Sequence, residues 1–231
     1  MSNNYKIISF DADDTLWVNE PYYRETEAEF CKILSVFMPE EKLNDELYKT
    51  EIDNLELYGY GAKGFVLSLI ETALRITDNK LDPYKVLQII KLGKDLLNKP
   101  IELLDGVRQT LDYLYQKNYK LIVATKGDLL DQERKLRRSG LSAYFHHIEV
   151  MSDKNSKQYE KLISHLDIKP SEFLMIGNSL RSDILPPLQI GASAVHIPYH
   201  TTWQHETVED SLLKNNKFIT LSSIINLKDI L

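Results

Sequence analysis

Five short apolar runs, spaced along the chain with helical periodicity between them, limit what this sequence can fold into. They are residues 5–11, Leu121-Ile122-Val123-Ala124, His147-Ile148-Glu149-Val150, Phe173-Leu174-Met175-Ile176 and Ala194-Val195-His196-Ile197. The second is continuously apolar, as a strand buried on both faces must be. Helices are predicted between the later runs: Asp105, capping, through about Gln116 with Gly106 at its start; Asp128 to about Arg138; and Ser156 to His165. Strand–helix alternation of this kind predicts an α/β fold, a parallel sheet of five or six strands with helices on both faces. The expected core is a three-layer, Rossmann-like domain built from residues 1–17 and 100–231.

The stretch between the first two runs has a different texture. Apolar residues recur at helical spacing at Phe30, Ile33, Leu34 and Phe37; at Leu43 and Leu47; at Phe65, Leu69, Ala73 and Ile76; and at Val86, Ile89, Ile90, Gly93 and Leu97. Breakers separate them: Pro39, the glycines of 58–64, and Asp78-Asn79 with Pro83. About four helices are expected, forming an inserted all-α domain over residues 18–99. A chain of 231 residues is long enough for one large domain or a core with an insert.

The net charge of -6 argues against nucleic acid or an anionic membrane as partner. The one basic cluster, Arg134, Lys135, Arg137 and Arg138, reads as a solvated helix end. Cys31 is the single cysteine and sits in an apolar-periodic stretch, so it reads as core. The N-terminal residues carry no signal-peptide pattern, and no apolar run is long enough to span a bilayer. A cytoplasmic protein is the default expectation.

Open parallel sheets bind ligands at the carboxyl ends of their strands. Asp11, Asp13, Asp14 and Thr15 follow the first run, and Thr125, Lys126 and Gly127 follow the second. Lys154 lies beyond the third; Gly177, Asn178, Ser179 and Asp183 follow the fourth. A carboxylate can attack phosphorus, and a second carboxyl can protonate the departing oxygen and then activate water. Grouped acids hold a hard cation such as Mg²⁺, which together with a lysine offsets phosphoryl charge. A hydroxyl and the N–H groups of a glycine turn can hold phosphate oxygens.

In this order these segments resemble the haloacid dehalogenase superfamily, on its phosphatase side and with a helical C1-type cap. Asp11-x-Asp13-x-Thr15 matches the first motif, Thr125 the second, Lys154 the third and Gly177 to Asp183 the fourth. The resemblance implies that Asp11 is nucleophile and Mg²⁺ ligand, and that Asp13 is general acid and base with its carbonyl on the metal. It implies that Thr125, with the N–H groups of Lys126 and Gly127, binds phosphate, that Lys154 bridges Asp11 and phosphate, and that Asp183 completes the metal ligands. It also implies a cap that opens to admit a small-molecule phosphate ester and closes over the acyl phosphate. Asn178 departs from the family's usual glycine-aspartate. Its amide oxygen can still ligate Mg²⁺, directly or through water, but brings no charge. Lys157 competes with Lys154 for the third motif; Lys154 is nearer the strand end. The dehalogenases of the superfamily lack an acid at the position of Asp13, so phosphate chemistry is favoured. A phosphomutase or other phosphotransferase, or a catalytically quiet phosphate-binding protein, are the alternatives. A response-regulator receiver is disfavoured by length and by the absence of an acid ending the third strand.

Four further features are open. Asp14 and Thr15 can be a turn or helix cap. The glycine-rich 58–64 reads as a helix–helix turn or as a loop reaching the substrate through Lys63 or a tyrosine. His196, His200 and His205 lack recognised zinc spacing, and the segment 198–206 reads as a packed or rim loop. Trp17, Tyr22 and Tyr23 are expected to line the substrate entrance or to seat the cap.

Overall fold

All four residues of Ile7–Phe10 (β1) are buried, because this strand lies inside a sheet covered on both faces. The computed structural model describes residues 5–213 and 216–231. Residues 1–4, part of the expected core and of the segment read as lacking a signal peptide, lie outside the described residues. The other strands are Lys120–Lys126 (β2), Phe145–Met151 (β3), Phe173–Gly177 (β4), Ser193–His196 (β5) and Ile219–Thr220 (β6). Every pairing is parallel, in the order β3-β2-β1-β4-β5-β6. β6 has no counterpart among the apolar runs.

Alternate strand residues face opposite ways, and the two faces recruit different helices. Ile8, Phe10, Leu121, Val123, Leu174 and Ile176 share a core with Val107, Leu111 and Leu114 of one helix. Ile7, Ile122, Ala124, Phe173 and Met175 pack with Tyr159, Leu162 and Ile163 of another. This is the expected three-layer α/β core. Asp105, however, does not cap: Gly106 occupies the N-cap at φ 81°, without a side-chain cap bond, and Asp105 is exposed. A left-handed backbone at that point suits glycine.

The chain divides into two compact units, one of residues 1–20, 101–126 and 132–231, the other of 21–100 with 127–131. The second is helical. Its helices derive from Glu20–Leu34 (α1), Glu40–Tyr58 (α2), Ala62–Ile76 (α3) and Pro83–Leu97 (α4). Phe30, Leu34, Leu43, Leu47, Leu69, Ala73 and Ile89 form its apolar centre. Asp82 caps α4 by accepting from the Tyr84 N–H at 2.9 Å. Gly59 to Gly61 form the turn from α2 to α3, and Lys63 pairs with Asp128 of the same unit at 2.9 Å. Cys31 is buried, 3.2 Å from the Asn44 side-chain oxygen, and burial, then Glu40 and Glu27, push its thiol up to about 11. Such a thiol stays protonated and inert at neutral pH. Among the described residues no helix is long and apolar enough to cross a membrane.

The first unit continues with Val107–Gln116 (α5), Leu129–Ser139 (α6, whose first turn counts with the helical unit), Ser156–His165 (α7), Leu185–Gln189 (α8) and Asp210–Leu213 (α9).

Candidate active site

β1 and β4 are neighbours, so the residues after them meet at one sheet edge. The Asp11 N–H donates to the Ile176 carbonyl at 2.8 Å, and the chain then turns, with Leu16 N–H on the Ala12 carbonyl. The Lys154 ammonium joins the Asp11 Oδ1 and lies 2.7 Å from Asp183 Oδ1. All three side chains are buried. The structure brings Lys154 to Asp11; Lys157 is exposed. Thr15 Oγ1 lies 3.3 Å from Asp11 Oδ2 and 3.0 Å from Asn178 Oδ1, so its single proton serves one or the other. Asp183 lies within a π-helical turn, Leu180–Ile184, and its Oδ2 accepts from the Ser179 N–H at 3.0 Å. A Cβ at position 177 would sit 2.2 Å from that Oδ2, which is why the turn after β4 starts with glycine.

Burial pushes the Asp11 carboxyl up, Lys154 opposes it and Asp183 adds to it, for a net value of about 7. For Lys154 burial disfavours the charge, but Asp11 and Asp183 outweigh it and hold the ammonium well above its ordinary value. Two buried carboxylates thus share one cation.

The second acid of the segment is held separately. Asp13 Oδ1 accepts from Trp17 Nε1 at 2.7 Å and from Lys135 Nζ at 2.6 Å, and Oδ2 accepts from Gln132 Nε2 at 2.8 Å. Trp17 is fully buried in the sheet's core, not at an entrance. Lys135 also departs from expectation. Its side chain is only 12% exposed, so it is no part of a solvated helix end. Asp14, at φ 59°, accepts from the Asn19 and Glu20 N–H groups at 2.8 and 2.9 Å and so caps the start of α1. Burial pushes its carboxyl up to about 8 against those two bonds.

Thr125 is buried at the end of β2, its hydroxyl toward the Lys126 carbonyl at 3.2 Å. The Lys126 side chain turns elsewhere, to Ser182 Oγ at 2.9 Å and to the Glu206 carboxylate. Gly127, at φ 118°, groups with the helical unit. Glu206 also receives the Ser179 hydroxyl and, at 2.6 Å, the Ser182 hydroxyl. Neither Glu206 nor its partners were visible as a unit in the sequence. The signal lay one strand further on, in an acid following the β5 run. Among the described residues no three His, Cys, Asp or Glu side chains group as a metal site. His196 instead bonds the Asn178 carbonyl through Nε2 at 3.0 Å.

A family model of haloacid dehalogenase-like hydrolases matches residues 5–191. The chain belongs to that family. A haloacid dehalogenase-like family hydrolase from Xanthomonas campestris is 39% identical, with 88% of this chain and 85% of that one covered and a TM-score of 0.81. A glyceraldehyde 3-phosphate phosphatase of Methanothermobacter thermautotrophicus is 32% identical over 129 residues, 53% of this chain and 55% of that protein. The pyrimidine 5'-nucleotidase PynA of Streptococcus pneumoniae is 30% identical over 112 residues, 44% of this chain and 47% of that protein. The chain thus spans about half the length of these two curated relatives.

In this haloacid dehalogenase-like hydrolase Glu206 makes a pH prediction. Burial alone would raise its carboxyl from 4.5, but Lys126 and the Ser179 and Ser182 hydroxyls outweigh burial and hold it at about 2. A depressed carboxylate stabilises the fold above its unfolded value and loses that contribution as pH falls toward the folded one. The contribution should be full above about pH 5 and shrink between 4.5 and 2, at most about 3 kcal/mol. Glu206→Gln should therefore lower the urea midpoint at pH 7, and the gap to wild type should narrow below pH 4.5. A gap that stays constant from pH 7 to 3 would show that the ionised pair is not its source.

Proposed function

We propose that this hydrolase is a Mg²⁺-dependent phosphomonoesterase acting on a small-molecule phosphate through an aspartyl-phosphate on Asp11. The observation that carries this reading is the buried Asp11–Lys154–Asp183 chain at the sheet edge. Asp11 attacks phosphorus, and the bond to the ester oxygen breaks as that oxygen takes a proton from Asp13. Asp13 then removes a proton from water, which attacks the acyl phosphate, releasing inorganic phosphate and restoring Asp11. The Thr125 hydroxyl, with the N–H groups that follow it, holds phosphate oxygens, and Lys154 bridges them to Asp11.

The donors suit a hard divalent cation. Asp11 and Asp183 exceed the single ammonium in charge, and the Asn178 amide oxygen lies 3.0 Å from the Thr15 hydroxyl, which is itself 3.3 Å from Asp11. Asp11, Asp183, Asn178 and the Asp13 main-chain carbonyl would hold Mg²⁺. The ion would offset the charge of the transferring phosphoryl group. Because charge count tunes such sites, Asn178→Asp should tighten Mg²⁺ binding by calorimetry on the order of ten-fold, while lowering the melting temperature of the metal-free protein through an extra half-buried negative charge near Asp11. Unchanged affinity would remove Asn178 from the ligand set.

Phosphate release from p-nitrophenyl phosphate with Mg²⁺, followed by kcat/KM over triose phosphates, nucleoside monophosphates and phosphorylated acids, tests the reading. The two curated relatives, named for a triose phosphate and for pyrimidine nucleotides, support a monoester and leave its alcohol open. A protein that releases phosphate from none of these esters would overturn it.

A further inference from the structure

Asp13 is clamped on both oxygens by three donors, and for two of them, Gln132 and Lys135, no role at the site was expected from sequence. Trp17 and Lys135 take Oδ1, and Gln132 takes Oδ2. With both oxygens engaged from different sides, the carboxylate cannot rotate without breaking at least one bond. Gln132 and Lys135 lie three residues apart on α6, so they share one face of that helix.

Gln132 is 3% exposed. Its Nε2 also donates to the Lys126 carbonyl at 2.9 Å. Both neighbours of that nitrogen are acceptors, so the amide cannot be turned over. Its Oε1 is consequently left buried with no hydrogen-bond partner among the described residues. A buried carbonyl without a donor costs free energy, and an unbranched apolar side chain of the same length would avoid that cost. A local rule broken in the interior, with the gain falling on one acid at the sheet edge, marks a residue kept for the site and not for the fold.

We infer that Gln132 and Lys135 are positioning residues that fix the Asp13 carboxylate in the direction from which it gives up and takes a proton. The inference rests on the function proposed above. Proton transfer demands hydrogen-bond reach, and small misplacements are expensive in rate.

Gln132→Met and Lys135→Met test it, with kcat/KM measured on an alkyl phosphate and on p-nitrophenyl phosphate. This parameter covers steps through leaving-group departure, and p-nitrophenolate leaves without a proton. The alkyl ester should lose about ten-fold, the nitrophenyl ester about two-fold or less. The melting temperature of Gln132→Met should match or exceed that of wild type, which a merely structural role would not allow. In an Asp13→Asn background, neither substitution should lower alkyl-ester turnover further. Should Lys135→Met fail to fold, Gln132→Met decides. Wild-type turnover in Gln132→Met, equal losses on both esters, or a full additional loss without Asp13 would each overturn the inference alone. A wild-type protein that cleaves neither ester would overturn the proposed function, and the inference with it.

Discussion

Asp11→Asn is expected to reduce phosphate release on the order of 10⁴-fold or more, since removing a nucleophile removes the reaction path and not one contact along it. The amide keeps the size of the side chain and can still accept from Lys154, so the loss should not come from unfolding. Lys154 also retains Asp183 at 2.7 Å. Acid-quenched wild type incubated with labelled ester should carry a phosphoryl group on the protein, and Asp11→Asn should carry none. Turnover retained in the variant would sink the aspartyl-phosphate mechanism outright.

Asp13→Asn should give the second largest effect, about 10² to 10⁴-fold in kcat, the usual span for losing a general acid or base. Its signature lies in how the loss divides. The kcat/KM of an alkyl phosphate should fall steeply because the alkoxide needs a proton to leave. The kcat/KM of p-nitrophenyl phosphate should fall little. With no base to activate water, the phosphorylated protein should then accumulate on the nitrophenyl ester, visible as a burst of p-nitrophenol. Equal loss on both esters and no burst would assign Asp13 to binding alone.

The sheet was legible because its inner strands are buried on both faces and must be apolar throughout. β4 meets that condition along its length, β2 over Leu121 to Ala124 and β1 except at Ser9, and their registers bring Phe10 beside Val123 and Ile176. β6 escaped because it has two residues, both exposed, and so no pattern to detect. The acids and lysine of the site were legible because their positions after strands are fixed by the sheet. The side chains around them were not. Among the four cations near the end of α6, charge alone cannot say which face inward; the tertiary path of the helix brings Lys135 to Asp13 and leaves Arg137 and Arg138 exposed. Glu206 reaches Lys126 and two serines only because the segment after β5 folds back, and no local periodicity encodes such a return. Asp105 misled for the opposite reason: its chemistry suits a cap, but Gly106 supplies the backbone turn instead.

The position of β1 has a consequence for biosynthesis. It is translated well before its two hydrogen-bonded partners, which begin at Lys120 and Phe173. Until both have been translated, Ile7–Phe10 is an apolar segment with two unpaired edges, the kind of stretch that invites aggregation. Closing such long chain loops also slows folding. The apolar centre of the helical unit is drawn from residues 30–96, all translated in between. The nascent chain therefore holds Asp11, the proposed nucleophile, at the end of an unpaired strand until β4 has been made, and Asp183 follows only after that.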